Sequence, residues 1–81
     1  MNIPILKSYA FHGTDCWFVS TIERDYDTFE GVCRGSETLV WEYNWDKSER
    51  GYLVHQGGGI GEHINICKSL TRTGKFPAEE E

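Results

Sequence analysis

Large apolar side chains recur at every second position in one segment of the chain, which is the spacing of a strand with one apolar face. The segment covers residues 37–45. Its large side chains are Leu39, Trp41, Tyr43 and Trp45. The alternation predicts a strand but leaves open which of its two faces is buried. Because a small domain needs large side chains to fill its core, we expect Trp41 to be buried against Phe18 or Trp17.

The flanking segments predict two hairpins. Residues 5–11 and 16–23 are rich in β-branched and aromatic side chains, and a Gly/Asp turn separates them. Residues 52–56 follow a charged turn and predict a return strand beside residues 37–45. Residues 24–35 are polar and acidic and contain two glycines, which predicts a long loop. Long loops in compact domains are often functional.

The hydrophobic period changes after a glycine run at residues 57–59. One helical face then carries Ile60, Ile64, Cys67 and Thr71, widened by Ile66 and Leu70. Gly74 is placed to end this helix. These elements predict an α+β fold, with an antiparallel four-stranded sheet of two β-hairpins covered on one face by a single C-terminal helix. We assign residues 1–76 to a single α+β domain and residues 77–81 to an acidic, disordered tail.

The chain has 81 residues and a formal net charge of −5, which permits one small domain with a thin core. A negative field repels phosphate backbones and attracts basic partners, so direct nucleic-acid binding is not expected. No apolar run has the length of a signal peptide or a membrane span. The three cysteines cannot all pair within one chain. We therefore expect a cytoplasmic monomer or homodimer with reduced thiols and no membrane partner.

The glycine run precedes a helix N-terminus, which is a setting that can bind phosphate. The lysine of a P-loop is missing there, and Glu62 occupies the position that an anion would approach. We interpret the run as a connector with positive φ angles. The alternative function is a small nucleic-acid or phosphate-ligand module that uses this loop with Lys68 and Arg72 of the C-terminal helix and Lys75 just after it.

Histidine and cysteine recur at the same spacing in two places, His12 with Cys16 and His63 with Cys67. The second pair would share one helical face and could chelate a metal, so a small metal-binding protein is a further alternative. A Cys–His dyad can be drawn from the same residues, but no cysteine lies at a helix N-terminus, where a thiolate is favoured. We expect no enzyme activity, no catalytic residue, no cofactor and no metal.

Acidic and aromatic residues interleave in the predicted loop, where carboxylates would steer a basic partner and aromatic rings would supply affinity. The predicted partner-binding residues are Asp25, Tyr26, Asp27, Phe29 and Glu30, with Glu42 and Trp45 as weaker members. The expected function is a non-enzymatic protein-binding module that presents an acidic, aromatic-containing surface to a basic protein or nucleoprotein complex.

In length, acidity, sheet-plus-helix pattern and lack of catalytic motifs, the chain resembles the small acidic proteins of phages and mobile elements, among them the anti-CRISPR inhibitors. The resemblance is one of general character and carries over no individual residue. It implies inhibition of a host complex by occupation of a surface that binds or cleaves nucleic acid.

Overall fold

A computed structural model describes residues 3–44 and 46–77. It contains four strands and one helix: β1 (Ile3–His12), β2 (Asp15–Thr28), β3 (Gly31–Asn44), β4 (Glu49–Gln56) and α1 (Ile60–Thr73). The strands form one antiparallel sheet in chain order, so each strand pairs with the next. The predicted α+β fold, an antiparallel four-stranded sheet with a C-terminal helix, is confirmed.

The loop predicted for residues 24–35 is wrong, because β2 and β3 continue through it. The two strands are joined only by a tight turn at Phe29 and Glu30, with Thr28 directly opposite Gly31. The polar composition that indicated a loop belongs instead to a paired segment with solvent around it. Gly31 is therefore part of a hairpin turn and not the end of a loop.

The helix covers one face of the sheet and lies mainly against β1. The hydrophobic core between them consists of Ala10, Trp17, Val19, Val40, Ile66 and Leu70. Phe76, just after the helix, packs against this core, and its ring stacks on His55 at 5.7 Å between centroids. Among the residues that the structure describes, no helix is long and apolar enough to cross a bilayer.

The buried face of α1 differs from the predicted one. The residues of α1 that are buried are His63, Ile66, Ser69 and Leu70. Ile60 and Ile64, which were expected on the core side, are 43% and 44% exposed. The face is rotated because a histidine and a serine take core positions, and a pattern of apolar residues alone does not detect polar residues that find partners inside.

Gly74 ends the helix as predicted. It adopts the left-handed conformation with φ 75°, and its N–H donates to the carbonyl of Leu70 at 3.0 Å. A glycine makes this conformation without steric cost, which is why helices commonly end in this way. The predicted acidic tail mostly lies outside the described residues, since the structure describes none of residues 78–81.

A buried chain of hydrogen bonds joins α1 to the sheet through His63, which is 1% exposed. Thr38 Oγ1 donates to the Gly59 carbonyl at 2.8 Å, so Thr21 Oγ1 must donate to Thr38 Oγ1 at 2.7 Å. Thr21 then accepts from His63 Nδ1–H at 2.9 Å. The remaining nitrogen, Nε2, accepts from Ser8 Oγ–H, also at 2.9 Å. The order of donors places a proton on Nδ1, and burial, which lowers the pKa of His63, favours the neutral ring whose Nε2 accepts.

Two isoleucines of α1 offer a matched test of where the core lies. We expect Ile66→Ala to lower the free energy of unfolding by about 2–5 kcal/mol, because Ile66 is fully buried. Ile64→Ala should change it by less than about 1 kcal/mol, because Ile64 is exposed and alanine favours helix. Urea denaturation followed by circular dichroism measures both values. Similar losses in the two variants would contradict the observed helix orientation.

The buried histidine predicts a loss of stability in mild acid. Burial lowers the pKa of His63 below its ordinary value of 6.5, so the unfolded chain takes up a proton more readily than the folded one. The free energy of unfolding should therefore fall as the pH drops below about 6.5. Urea denaturation over a series of pH values measures this slope.

The matched control compares two histidine variants. His63→Gln should lower stability by about 1–3 kcal/mol at neutral pH, because buried partners lose a hydrogen bond, and should also flatten the pH slope. His12→Gln should leave the slope in place, because the His12 side chain is exposed. A wild-type slope that survives in His63→Gln would show that another group titrates.

Candidate functional site

The two central strands extend past the rest of the sheet as a two-stranded segment, residues 24–35, which we call the ribbon. β1 begins at Ile3, opposite Glu23, and β4 ends at Gln56, opposite Leu39. Within the described residues, no other strand flanks the ribbon, although the pairing between β2 and β3 continues to the turn. At about 3.3 Å per residue it projects roughly 16 Å, along a molecule whose longest dimension is 46 Å.

The tip of the ribbon is closed by its own hydrogen bonds. Thr28 Oγ1 donates to the Gly31 carbonyl at 2.7 Å and accepts from the Glu30 N–H at 3.3 Å. Phe29 lies at the outermost position and is exposed to 110% of its reference area. Among the described residues, it is the most exposed of the large apolar side chains.

Side chains on both faces of the ribbon hold its two strands in register. On one face, Arg34 Nε donates to Asp25 Oδ1 at 3.2 Å. On the other face, the Tyr26 ring lies over Gly35, where an added Cβ would be 2.9 Å from the ring. The Arg24 guanidinium carbon lies 6.0 Å from the centre of the Tyr26 ring. These cross-strand contacts favour an ordered ribbon.

The base of the ribbon is anchored by a buried carboxylate. Glu37 is 9% exposed and accepts from the Arg24 guanidinium. Its second oxygen accepts from Gln56 Nε2 at 2.7 Å, which connects β2, β3 and β4. A charged group so placed is stabilised only when both oxygens have donors. Sequence analysis missed this network, because nothing in the linear pattern relates these three positions before the register is known.

Five of the seven predicted partner-binding residues lie on the ribbon: Asp25, Tyr26, Asp27, Phe29 and Glu30. Asp25 is in the ion pair with Arg34, so its charge is largely balanced. Within the described residues, Asp27 and Glu30 have no cationic partner. The negative charge of the ribbon is therefore concentrated beside Phe29, in its outer half.

The two weaker predicted members do not join the other five. Glu42 is exposed on β3, where it lies opposite Trp17. It is ten residues along β3 from Val32, the residue opposite Asp27. That separation corresponds to roughly 33 Å along the strand. Trp45 lies outside the described residues. The candidate site is thus the ribbon alone.

The sheet face opposite the helix carries a cluster of rings, which we call the aromatic face. Its members are Tyr9, Phe11, Phe18, Trp41 and Tyr43. Trp41 stacks on Phe18, as expected, with centroids 5.7 Å apart, but it is only half-buried and points away from α1. The expectation that Trp41 fills the helix-covered core is wrong, because Thr38 and Val40 of β3 face the helix, so Trp41 lies on the other face, while Trp17 belongs to the helix-covered core.

The glycine run between β4 and α1 acts as a connector. Gly57 and Gly58 have φ angles of 124° and 82°, and the Gly57 N–H donates to the Thr38 carbonyl at 2.9 Å. The Glu62 side chain lies against Gly58, where an added Cβ would be 2.5 Å from Glu62 Cβ. A carboxylate of the protein itself therefore lies beside the helix N-terminus, where a phosphate would bind.

The histidine–cysteine pairs do not form a metal site or a reactive thiol in the part of the chain described. No group of three or more His, Cys, Asp or Glu side chains gathers there. Both nitrogens of His63 are engaged in the buried chain, and His12 Nδ1–H donates to the Thr71 carbonyl at 3.3 Å. Burial raises the pKa of the Cys16 and Cys67 thiols, which disfavours the nucleophilic thiolate.

Comparisons with known proteins assign no family to this arrangement of ribbon, sheet and helix. No protein-family model matches the chain, and neither any curated protein nor any solved structure is significantly similar to it.

Proposed function

We propose that the protein is a non-enzymatic binding module whose ribbon docks on a basic surface of a protein or nucleoprotein complex in the cytoplasm. The observation that carries the proposal is Phe29, fully exposed at the tip of a projecting, hydrogen-bonded hairpin. Asp27 and Glu30 flank it with carboxylates that have no cationic partner among the described residues.

Phe29 and the two carboxylates, Asp27 and Glu30, contribute to different parts of the binding free energy and rate. A buried aromatic anchor supplies most of the affinity at a typical interface, and Phe29 is the anchor here. Unpaired carboxylates accelerate association with a basic partner and fix the register. Because the ribbon is held by the Asp25–Arg34 pair and by Tyr26 against Gly35, little ordering entropy is lost on binding.

The kind of partner follows from the shape and charge of the ribbon. Asp27 and Glu30 place two carboxylates on the outer half of the ribbon, and neither has a cationic partner among the described residues. A narrow hairpin with negative charge at its tip fits a groove that normally holds a phosphate backbone. An inhibitor that occupies a nucleic-acid-binding surface of a host complex, as the resemblance to anti-CRISPR proteins implies, would use the ribbon in this way.

Charge reversal at the tip tests the proposal. We expect Asp27→Lys/Glu30→Lys to slow association with a basic partner by about 10-fold or more at a moderate salt concentration of about 0.1 M, because steering would be lost. Phe29→Ala should instead accelerate dissociation, with a loss of about 2 kcal/mol or more. The partner is recovered on immobilised wild-type protein from a host lysate, and rates are then measured by surface plasmon resonance.

A matched charge reversal at the other end of the molecule controls for net charge. Asp46→Lys/Glu49→Lys changes the charge by the same amount, at exposed positions around the turn into β4. It should leave the association rate within about two-fold of wild type, since the screening length is about 10 Å at moderate salt. Equal slowing by both pairs would place the contact elsewhere than on the ribbon.

A further inference from the structure

The aromatic face is built from three adjacent strands and is continuous. The Tyr9 ring lies 5.2 Å from Phe18 and 5.2 Å from Tyr43, measured between centroids. Phe18 continues to Trp41 in a stacked pair whose planes differ by 25°. The rings therefore form one surface across β1, β2 and β3 and do not fill a closed core.

Much of this surface is open to solvent. Tyr9 and Phe11 are each 49% exposed. A shallow depression of about 650 Å³ crosses the face, with Tyr9, Phe18 and Trp41 in its lining together with Lys7 and Arg50. A contiguous exposed aromatic surface on a small domain marks a binding surface.

The charged side chains in the lining of the depression are opposite in sign to the charge of the whole chain. The Arg50 guanidinium lies 4.7 Å from the centre of the Trp41 ring and 5.9 Å from that of Phe18, and Lys7 projects from the same side of β1. Among the described residues, neither cation has a carboxylate partner. The net charge of −5 therefore conceals a locally cationic face.

We propose that the aromatic face binds single-stranded nucleic acid. A base stacks on the exposed ring of Tyr9, and another stacks on the outer plane of the Arg50 guanidinium, which Trp41 holds in place. Lys7 and Arg50 contact phosphates from opposite sides of the depression. Single-stranded nucleic acids bind surfaces that combine aromatic rings with cations, because the unpaired bases offer π faces and the backbone offers negatively charged phosphates.

Charge complementarity favours this occupant over a second copy of the chain. In a two-fold dimer through the aromatic face, Lys7 and Arg50 of both copies would be buried together. The lining of the depression supplies no carboxylate to balance them, and Glu37, on the same face of β3, is already paired with Arg24. Burying unpaired like charges is costly. A duplex is also disfavoured, since its bases are stacked on one another and cannot reach Tyr9.

The proposal concerns a surface separate from the ribbon and does not depend on the function proposed for the ribbon. The two are compatible, because one nucleoprotein complex can offer a basic groove to the ribbon and an exposed strand to the aromatic face. The test uses purified full-length protein and oligonucleotides alone, so a missing protein partner cannot affect its result.

The experiment is a fluorescence-anisotropy titration of labelled oligo(dT) and oligo(U), each of roughly 15 nucleotides. We expect saturable binding that weakens between roughly 50 and 200 mM salt. Two phosphate contacts predict a slope of log K against log salt of about −1.4. Tyr9→Ala should weaken binding by about 5- to 150-fold through loss of one stacked base, and Tyr9→Phe, which keeps the ring, should bind as wild type does.

Two charge-matched double variants locate the cations. Lys7→Gln/Arg50→Gln should remove most of the salt dependence, whereas Lys68→Gln/Lys75→Gln should leave it unchanged. No binding at low salt, or equal binding of a duplex, would overturn the proposal. So would binding that depends on Lys68 and Lys75, which would place the site on the helix. Concentration-dependent dimerisation in sedimentation that Tyr9→Ala abolishes would show that a second copy occupies the face.

Discussion

The orientation of the helix depends on one buried imidazole. His63 accepts from Ser8 on β1 and donates to Thr21 on β2, and the chain continues through Thr38 on β3 to the backbone just before α1. Any rotation of α1 about its axis would leave several of these buried groups without partners, at a cost of about 1–3 kcal/mol each. Apolar packing against Ile66 and Leu70 is less directional. The polar chain therefore determines which side of the helix faces the sheet.

Both candidate surfaces follow from that constraint. A single helix of 14 residues held against β1 covers only one side of the sheet, so the rings on the other side remain open. It also leaves the far ends of β2 and β3 without a layer above them, and the ribbon projects there. Glu37, with Arg24 and Gln56, makes this projection compatible with the sheet, because the three side chains satisfy one another where the flanking strands end.

The sequence predicted the fold class and the end of the helix because both depend on local signals. Alternation identifies a strand such as residues 37–45, and Gly74 provides the left-handed residue that ends α1. The face of β3 that is buried could not be predicted, since alternation is symmetric and Thr38 faces the core only because Thr21 lies opposite it. Polar residues on both sides of the ribbon's strands predict a loop, because the pairing of these strands depends on cross-strand contacts such as Asp25 with Arg34, which the linear pattern does not show.

The candidate site illustrates the same limit. Acidic and aromatic composition was sufficient to select Asp27, Phe29 and Glu30, but only the register separates them from Glu42 by roughly 33 Å. Composition also concealed the cations of the aromatic face, because a net charge of −5 is a sum over surfaces that point in different directions. The molecule is 46 Å long, so Debye screening of about 10 Å at moderate salt largely separates the fields of surfaces at its two ends. An acidic ribbon and a cationic aromatic face can therefore act on different components of one complex.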